Sequence, residues 1–141
     1  MTCTFFGHHN CPSEIQAKLH EVLIHLIEQA HASCFYVGNQ GDYDRLVRRE
    51  LMELCNSYPQ IRVFCVLAYM PGQKNEYQNE GMPTLLPEGI EHVPKRYAIC
   101  FRNRWMLEHA ECVVTYVRYH SNGADRYAEM AEKKGKRVIR L

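Results

Sequence analysis

The chain has 141 residues, 46% of them apolar and 23% charged, with a formal net charge of +1. That balance provides for one globular domain with a genuine core and excludes a disordered or fibrous chain. It also offers no global field toward nucleic acid or an anionic membrane, and no apolar run approaches the roughly 20 residues that cross a bilayer.

A soluble, cytoplasmic protein without membrane contact is therefore expected. The seven cysteines are odd in number and form no C-x-x-C pair, and Cys3, Cys34, Cys65 and Cys112 lie in apolar runs. Reduced thiols serving as small core hydrophobes are expected rather than disulfides or a structural zinc site.

In chain order, residues 2–6 read as a first strand, ended by Gly7-His8-His9-Asn10. A helix follows, with Ser13 and Gln16 at capping-box spacing and Ile15, Leu19, Val22, Leu26 and Ala30 along one face. The run Cys34-Phe35-Tyr36-Val37 is a second strand, stopped by Gly38-Asn39-Gln40-Gly41-Asp42-Tyr43-Asp44. The next helix carries Val47, Leu51, Leu54 and Tyr58 on one side and breaks at Pro59. A third strand over 61–69 is apolar almost throughout, the pattern of a strand covered on both faces, and is expected at the centre of the sheet.

Periodicity then dissolves. Pro71, Gly72, Gly81, Pro83, Pro87, Gly89 and Pro94 punctuate residues 70–94, an irregular insert at about 70–95 and a candidate lid. A third helix is expected over 97–110, a fourth strand over 112–117, a loop over 118–122 and a last helix over 123–134. Gly135 takes the place of a left-handed C-terminal residue, and 137–141 forms a fifth strand. This alternation predicts one domain over 1–141, a Rossmann-like three-layer α/β/α sandwich with a mainly parallel five-stranded sheet.

Such sheets bind ligands beyond the carboxyl ends of their strands, which selects four segments. After the first strand, the backbone at Gly7 and the imidazoles of His8 and His9 are candidates for a phosphate or a base. After the second, Gly38 and Gly41 flank the bend beside Asn39, and Asp44 lies about one turn into the helix, suited to a ribose diol or to capping. In the third helix Arg102 is the preferred phosphate anchor, Asn103 a partner for base or sugar, and Trp105 a stacking or packing residue. After the fourth strand, Ser121, Asn122 and Gly123 lead straight into a helix and form a second anion cradle. Asp44 and Glu129 are the weak candidates for a catalytic carboxylate. His8, His9 and His120 share the same edge, but adjacent histidines on an extended segment diverge, so no metal is assigned.

On Phe5-Phe6-Gly7-His8, Tyr36-Val37-Gly38-Asn39-Gln40-Gly41-Asp42-Tyr43-Asp44, Arg102-Asn103-Arg104-Trp105-Met106 and Ser121-Asn122-Gly123-Ala124, taken in order, the chain resembles the SLOG superfamily and within it the small YpsA/YoqJ-like branch. That Rossmann-like group includes DprA and the Lonely Guy enzymes. The resemblance implies a pocket for nucleotides or nucleotide-derived ligands, with links to NAD-derived signalling and to phage or mobile-element biology. Two departures stand out: His9 where members often carry arginine, and Asn122-Gly123 where they often carry a double glycine. The P-G-G-x-G-T-x-x-E signature of the Lonely Guy hydrolases is absent.

The leading expectation is thus a nucleotide-ligand binding or sensing module with no certain cofactor beyond that ligand. The alternatives are an N-glycosidase or phosphoribohydrolase acting on nucleotides, and a DNA-associated protein like DprA. A homo-oligomer is expected. Nucleic acid is not expected as a partner, because the basic cluster Lys133, Lys134, Lys136, Arg137 and Arg140 is small and distant from the candidate edge.

Overall fold

Alternation of buried side chains decides how the strands sit. In β1 (Thr2–Gly7), Cys3 and Phe5 turn to one face of the sheet and Phe6 to the other. The first face packs on α1 (Ile15–Glu28) through Leu19, Leu23 and Leu26 and on α2 (Gly41–Ser57) through Val47, Leu51 and Leu54. The second packs on α3 (Ala98–Glu108) through Met106 and Leu107 and on α4 (Ala124–Lys133) through Tyr127 and Ala131. Each such fully buried apolar side chain contributes about 1.5–3 kcal/mol of transfer free energy. The computed structural model describes residues 1–70, 79 and 81–141.

The remaining strands are β2 (Cys34–Val37), β3 (Arg62–Val66), β4 (Thr84–Leu85), β5 (Cys112–Tyr116) and β6 (Arg137–Arg140). They form a six-stranded sheet in the order β4-β3-β2-β1-β5-β6, with every adjacent pair parallel. Cys3 stands in register with Phe35 on one side and Cys112 on the other. The buried hydroxyls of Thr4 and Thr115 donate to the carbonyls of Tyr36 and Ile139 on neighbouring strands. All seven cysteines are free thiols; of the four expected in the core, Cys3, Cys65 and Cys112 are buried and Cys34 is half-buried. Gly135 has a φ of 71° past the end of α4, the left-handed residue that the sequence announces.

The α/β class and the parallel sheet agree with the sequence, and the strand count does not. The sixth strand, β4, comes from the segment expected to be irregular. It is two residues long, too short for any hydrophobic period, and exists because the Cys65 amide donates to Pro83 O and the Leu67 amide to Leu85 O. Nor is β3 central, since β1 and β2 occupy the middle of the sheet. The apolar run expected as strand to residue 69 is strand only to Val66, and Leu67 and Ala68 are buried beyond its end. At the start of α1 no side chain caps the helix: Ser13 offers only its carbonyl to the Gln16 amide, and the Gln16 side chain donates to Glu50 Oε1 instead.

Residues 71–78 and 80, and with them part of the expected lid, lie outside the described residues. The rest of that insert holds β4 and two single turns of 3-10 helix, Ile90–His92 and Lys95–Tyr97, which lead into α3. Among the described residues no helix is long and apolar enough to cross a membrane.

Candidate functional site

Strand order reverses at β1, whose neighbours are β2 on one side and β5 on the other. In an open parallel sheet that reversal opens a crevice above the carboxyl ends. A cleft of about 160 Å³ lies there, lined at its base by Phe5, Phe6 and Gly7, on one side by His9, Gln40 and Asp44, and on the other by Ile99, Arg102, Asn103 and Met106. Gly123, Ala124 and Tyr127 at the start of α4 complete it. Of the residues singled out in the sequence, the fold therefore brings Gly7, His9, Asp44, Arg102, Asn103 and Gly123 to one cleft.

Arg102 is the charge at its centre. The residue is only 1% exposed, and its guanidinium is held from three directions. Nε donates to Asn103 Oδ1 at 2.8 Å, and Nη1 donates to Val66 O at 3.0 Å and to Asn39 Oδ1 at 3.2 Å. Asn39 thus acts by fixing the arginine. Burial lowers the guanidinium's proton affinity while Asp44 raises it, and an arginine stays charged in either case. Opposite it, burial pushes the Asp44 carboxyl up, against the pull of Arg102, the Gln40 amide and Arg48. Asp44 Oδ2 accepts from the Gln40 amide at 3.0 Å, so the carboxylate does close the start of α2. One cation and one carboxyl in a small apolar-walled cleft can hold a phosphate on the arginine side and a hydroxyl on the aspartate side.

The glycines serve close packing. A Cβ on Gly7 would lie 2.2 Å from the Tyr43 ring, whose hydroxyl donates to Val114 O at 2.9 Å across the sheet. A Cβ on Gly38 would sit 2.8 Å from Asp44 Oδ2 and 3.1 Å from Arg102 Nη1. Gly41 has a φ of +88°, and a Cβ there would meet the His9 backbone at 2.6 Å. The turn amides are largely engaged inside the protein: Gln40 N by Asp44, Asp42 N by His9 O, and Gly123 N by Asp125 Oδ1 and Ser121 Oγ. Among the residues chosen for an anion, Arg102 is thus the charged group that lines the cleft.

His8 is buried outside the cleft lining. Its Nε2 accepts from the Arg118 amide at 2.8 Å and from the Tyr119 amide at 3.4 Å, and its ring stacks on Tyr119 at 3.9 Å. Burial lowers its proton affinity, with Asp125 opposing and Arg118 assisting. Ser121 and Asn122, the latter at a φ of 58°, shape the turn before α4 without lining the cleft. Glu129 is exposed and also outside the lining, so of the two carboxylates proposed for catalysis only Asp44 faces the cleft. Trp105 packs edge-on against Tyr36 at 5.0 Å and flat against His109 at 4.1 Å, away from the cleft.

Sequence reasoning missed Tyr127 and Asp125. Tyr127 follows Ala124 by three residues, the helical spacing that puts both on one face. Asp125 stands four residues after Ser121 and two after Gly123, a capping pattern that holds its carboxyl down at about 2: burial opposes this, and hydrogen bonds from Ser121 and Gly123 together with His120 prevail. Beside the cleft, a second depression is lined by Val93, Tyr97, Cys100, Phe101, Arg104 and Arg126. Tyr97 is 53% exposed, and Arg96 lies 4.9 Å over its ring.

No protein-family model and no curated protein matches the chain by sequence. Among solved structures it is similar to DNA processing protein A from Streptococcus pneumoniae, with a TM-score of 0.70 at 15% identity over 99% of this chain and 49% of that one. It is also similar to DNA processing protein A from Helicobacter pylori, solved for its single-stranded DNA binding mode, with a TM-score of 0.70 at 13% identity over 100% of this chain and 65% of that one. The chain spans about half to two thirds of those proteins' lengths, and at such identities the likeness is one of fold. It agrees with the DprA side of the expected resemblance and does not single out the YpsA/YoqJ-like branch. It overturns the expectation that nucleic acid is no partner, because the second protein, which shares this fold, binds single-stranded DNA. That expectation rested on net charge and lysine runs, which miss arginines brought together by folding, such as Arg104 and Arg126.

Proposed function

We propose that this protein binds single-stranded nucleic acid along its carboxyl edge, with one sugar-phosphate unit at the cleft and the flanking bases over the arginine-aromatic surface beside it. The observation that carries the reading is the adjacency of the two features. Ile99, Arg102 and Asn103 of α3 line the cleft, and Cys100, Phe101 and Arg104 of the same helix line the depression with Tyr97 and Arg126. The protein's own hydrogen bonds to Arg102 run, among the described residues, through Nε and Nη1, which leaves Nη2 for a phosphate oxygen. Exposed aromatic faces take bases without regard to sequence, and arginines track the backbone. The fold shared with the Helicobacter pylori protein supports the same reading.

Fluorescence anisotropy with a labelled oligo-dT strand tests it. Binding should weaken with salt, Tyr97→Ala should lose about 1–3 kcal/mol, and Arg104→Ala should lower the salt slope by about 0.7. No binding at low salt, or binding untouched by both substitutions, overturns the proposal.

A second reading is a free nucleotide-derived ligand, NAD-related signals among them, favoured by the size of the cleft: about 160 Å³ suits a single ribose phosphate better than a strand. Calorimetric titration of mononucleotides, NAD, ADP-ribose and cyclic nucleotides separates it from the first. Base release from a nucleoside monophosphate, abolished by Asp44→Asn, would be the sign of hydrolysis, in which Asp44 is the only one of the two candidate carboxylates within reach.

A further inference from the structure

The turn before α4 carries a second cluster that the nucleic-acid reading does not use. Asn122, at a φ of 58°, reverses the chain so that His120 and Ser121 fold back over the first turn of the helix. Asparagine tolerates that left-handed conformation better than most residues. Asp125 and Glu129 are four residues apart on α4 and share a face. One ligand atom from each of His120, Asp125 and Glu129 falls within 4.8 Å of the other two.

Within this group the Asp125 side chain is 6% exposed and its two oxygens are treated unequally. Oδ1 accepts from the Ser121 hydroxyl at 3.0 Å and the Gly123 amide at 3.1 Å. Oδ2 is buried and makes no hydrogen bond among the described residues, and His120 Nδ1 stands 2.6 Å from it. A buried carboxylate oxygen that makes no hydrogen bond is costly, and this one faces the His120 imidazole nitrogen.

We propose that His120 Nδ1, Asp125 Oδ2 and a Glu129 carboxylate oxygen bind one divalent cation of borderline softness, of the Zn²⁺ type, with water completing its coordination. One imidazole and two carboxylates are a ligand set that zinc accepts, and three protein ligands leave a position open. His120 is 74% exposed at its side chain and Glu129 is exposed, so both can adjust to bond lengths of about 2.0–2.2 Å around the fixed Asp125. The Ser121 hydroxyl and the Gly123 amide hold Asp125 by its other oxygen, the outer-shell support that orients a metal-binding carboxylate. The site differs from the three-imidazole grouping of the sequence: His8 is stacked on Tyr119 and gives Nε2 to backbone amides, and His9 lies against Gly41.

Equilibrium dialysis of the whole chain against Zn²⁺, with metal analysis, and titration with Co²⁺ as an optical probe test the proposal. One Zn²⁺ per chain is expected, with a Co²⁺ spectrum free of the intense near-ultraviolet band of thiolate ligation. His120→Ala and Glu129→Gln alter exposed side chains, which keeps the fold checkable by circular dichroism, and each should abolish stoichiometric binding. Ser121→Ala should weaken it by about tenfold or more. Absence of binding, equal binding by His120→Ala and Glu129→Gln, or a thiolate band that traces the metal to the free cysteines each overturns the site. None of these readouts depends on nucleic acid.

Discussion

At the residue scale, Gly7 and Gly38, chosen from the sequence as phosphate-approach points, turn out to be required by side chains, Gly38 by Asp44 and Arg102. Gly7 gives way to the Tyr43 ring, which would meet a Cβ at 2.2 Å. Tyr43 is fully buried and pinned through its hydroxyl to Val114 O, so the ring cannot swing aside without losing that bond. Gly7→Ala should therefore destabilise by about 1–3 kcal/mol, read as a lower denaturant midpoint at unchanged slope. An unchanged midpoint would mean that the ring has room the packing does not suggest. Arg102 shows the reverse relation: the sequence marks it as the preferred phosphate anchor, and the structure makes it a buried charge fixed by internal partners. Its burial follows from Asn39, Asn103 and Val66 O converging on one guanidinium, a convergence of three elements that no local spacing records.

At the scale of elements, the β1 and β5 ends are fastened by His8. Its Nε2 must be unprotonated to accept the Arg118 and Tyr119 amides, and burial together with Arg118 favours that neutral form. The sign follows directly. An imidazole whose folded proton affinity is depressed leaves the unfolded chain binding more protons at mildly acid pH. Its contribution is full above about pH 6.5 and is lost as the pH falls below that value. Chemical denaturation at pH 7.5 and 5.5 should show a larger loss of stability for the wild type than for His8→Asn, and an NMR titration should place the His8 midpoint below 6.5. Equal losses would leave the latch without pH dependence. The helices were mostly legible because their apolar residues recur at helical spacing, and β2 was found to the residue. α1 lost its expected cap because Gln16 turns to Glu50 on α2, a partner 34 positions away.

At the scale of the whole molecule, the proposed binding edge depends on Arg102 as both a buried charge and a ligand group, and the two roles can be separated. Arg102→Ala removes one of the two arginines that act on Asp44, Arg48 being the other, leaves Asn39 Oδ1 and Val66 O without their donor, and should cost about 1–3 kcal/mol of stability. Arg102→Lys keeps the charge but loses the planar fork that Asn39, Asn103 and Val66 hold. It should retain the fold by circular dichroism yet bind labelled oligo-dT more weakly than the wild type; undiminished binding would move the phosphate contact elsewhere. The sequence by itself determined the α/β class, five of the six strands, the four helices and the sheet edge at which the cleft lies, because periodicity and glycine-marked turns are local and parallel sheets present their strand ends together. Only the tertiary structure decided the sixth strand, the inward position of Arg102, the diversion of His8 and the turn amides to internal partners, and the meeting of His120, Asp125 and Glu129. Those features arise from contacts between segments distant along the chain or from a turn's dihedral angles, and neither leaves a repeating trace in the order of residues.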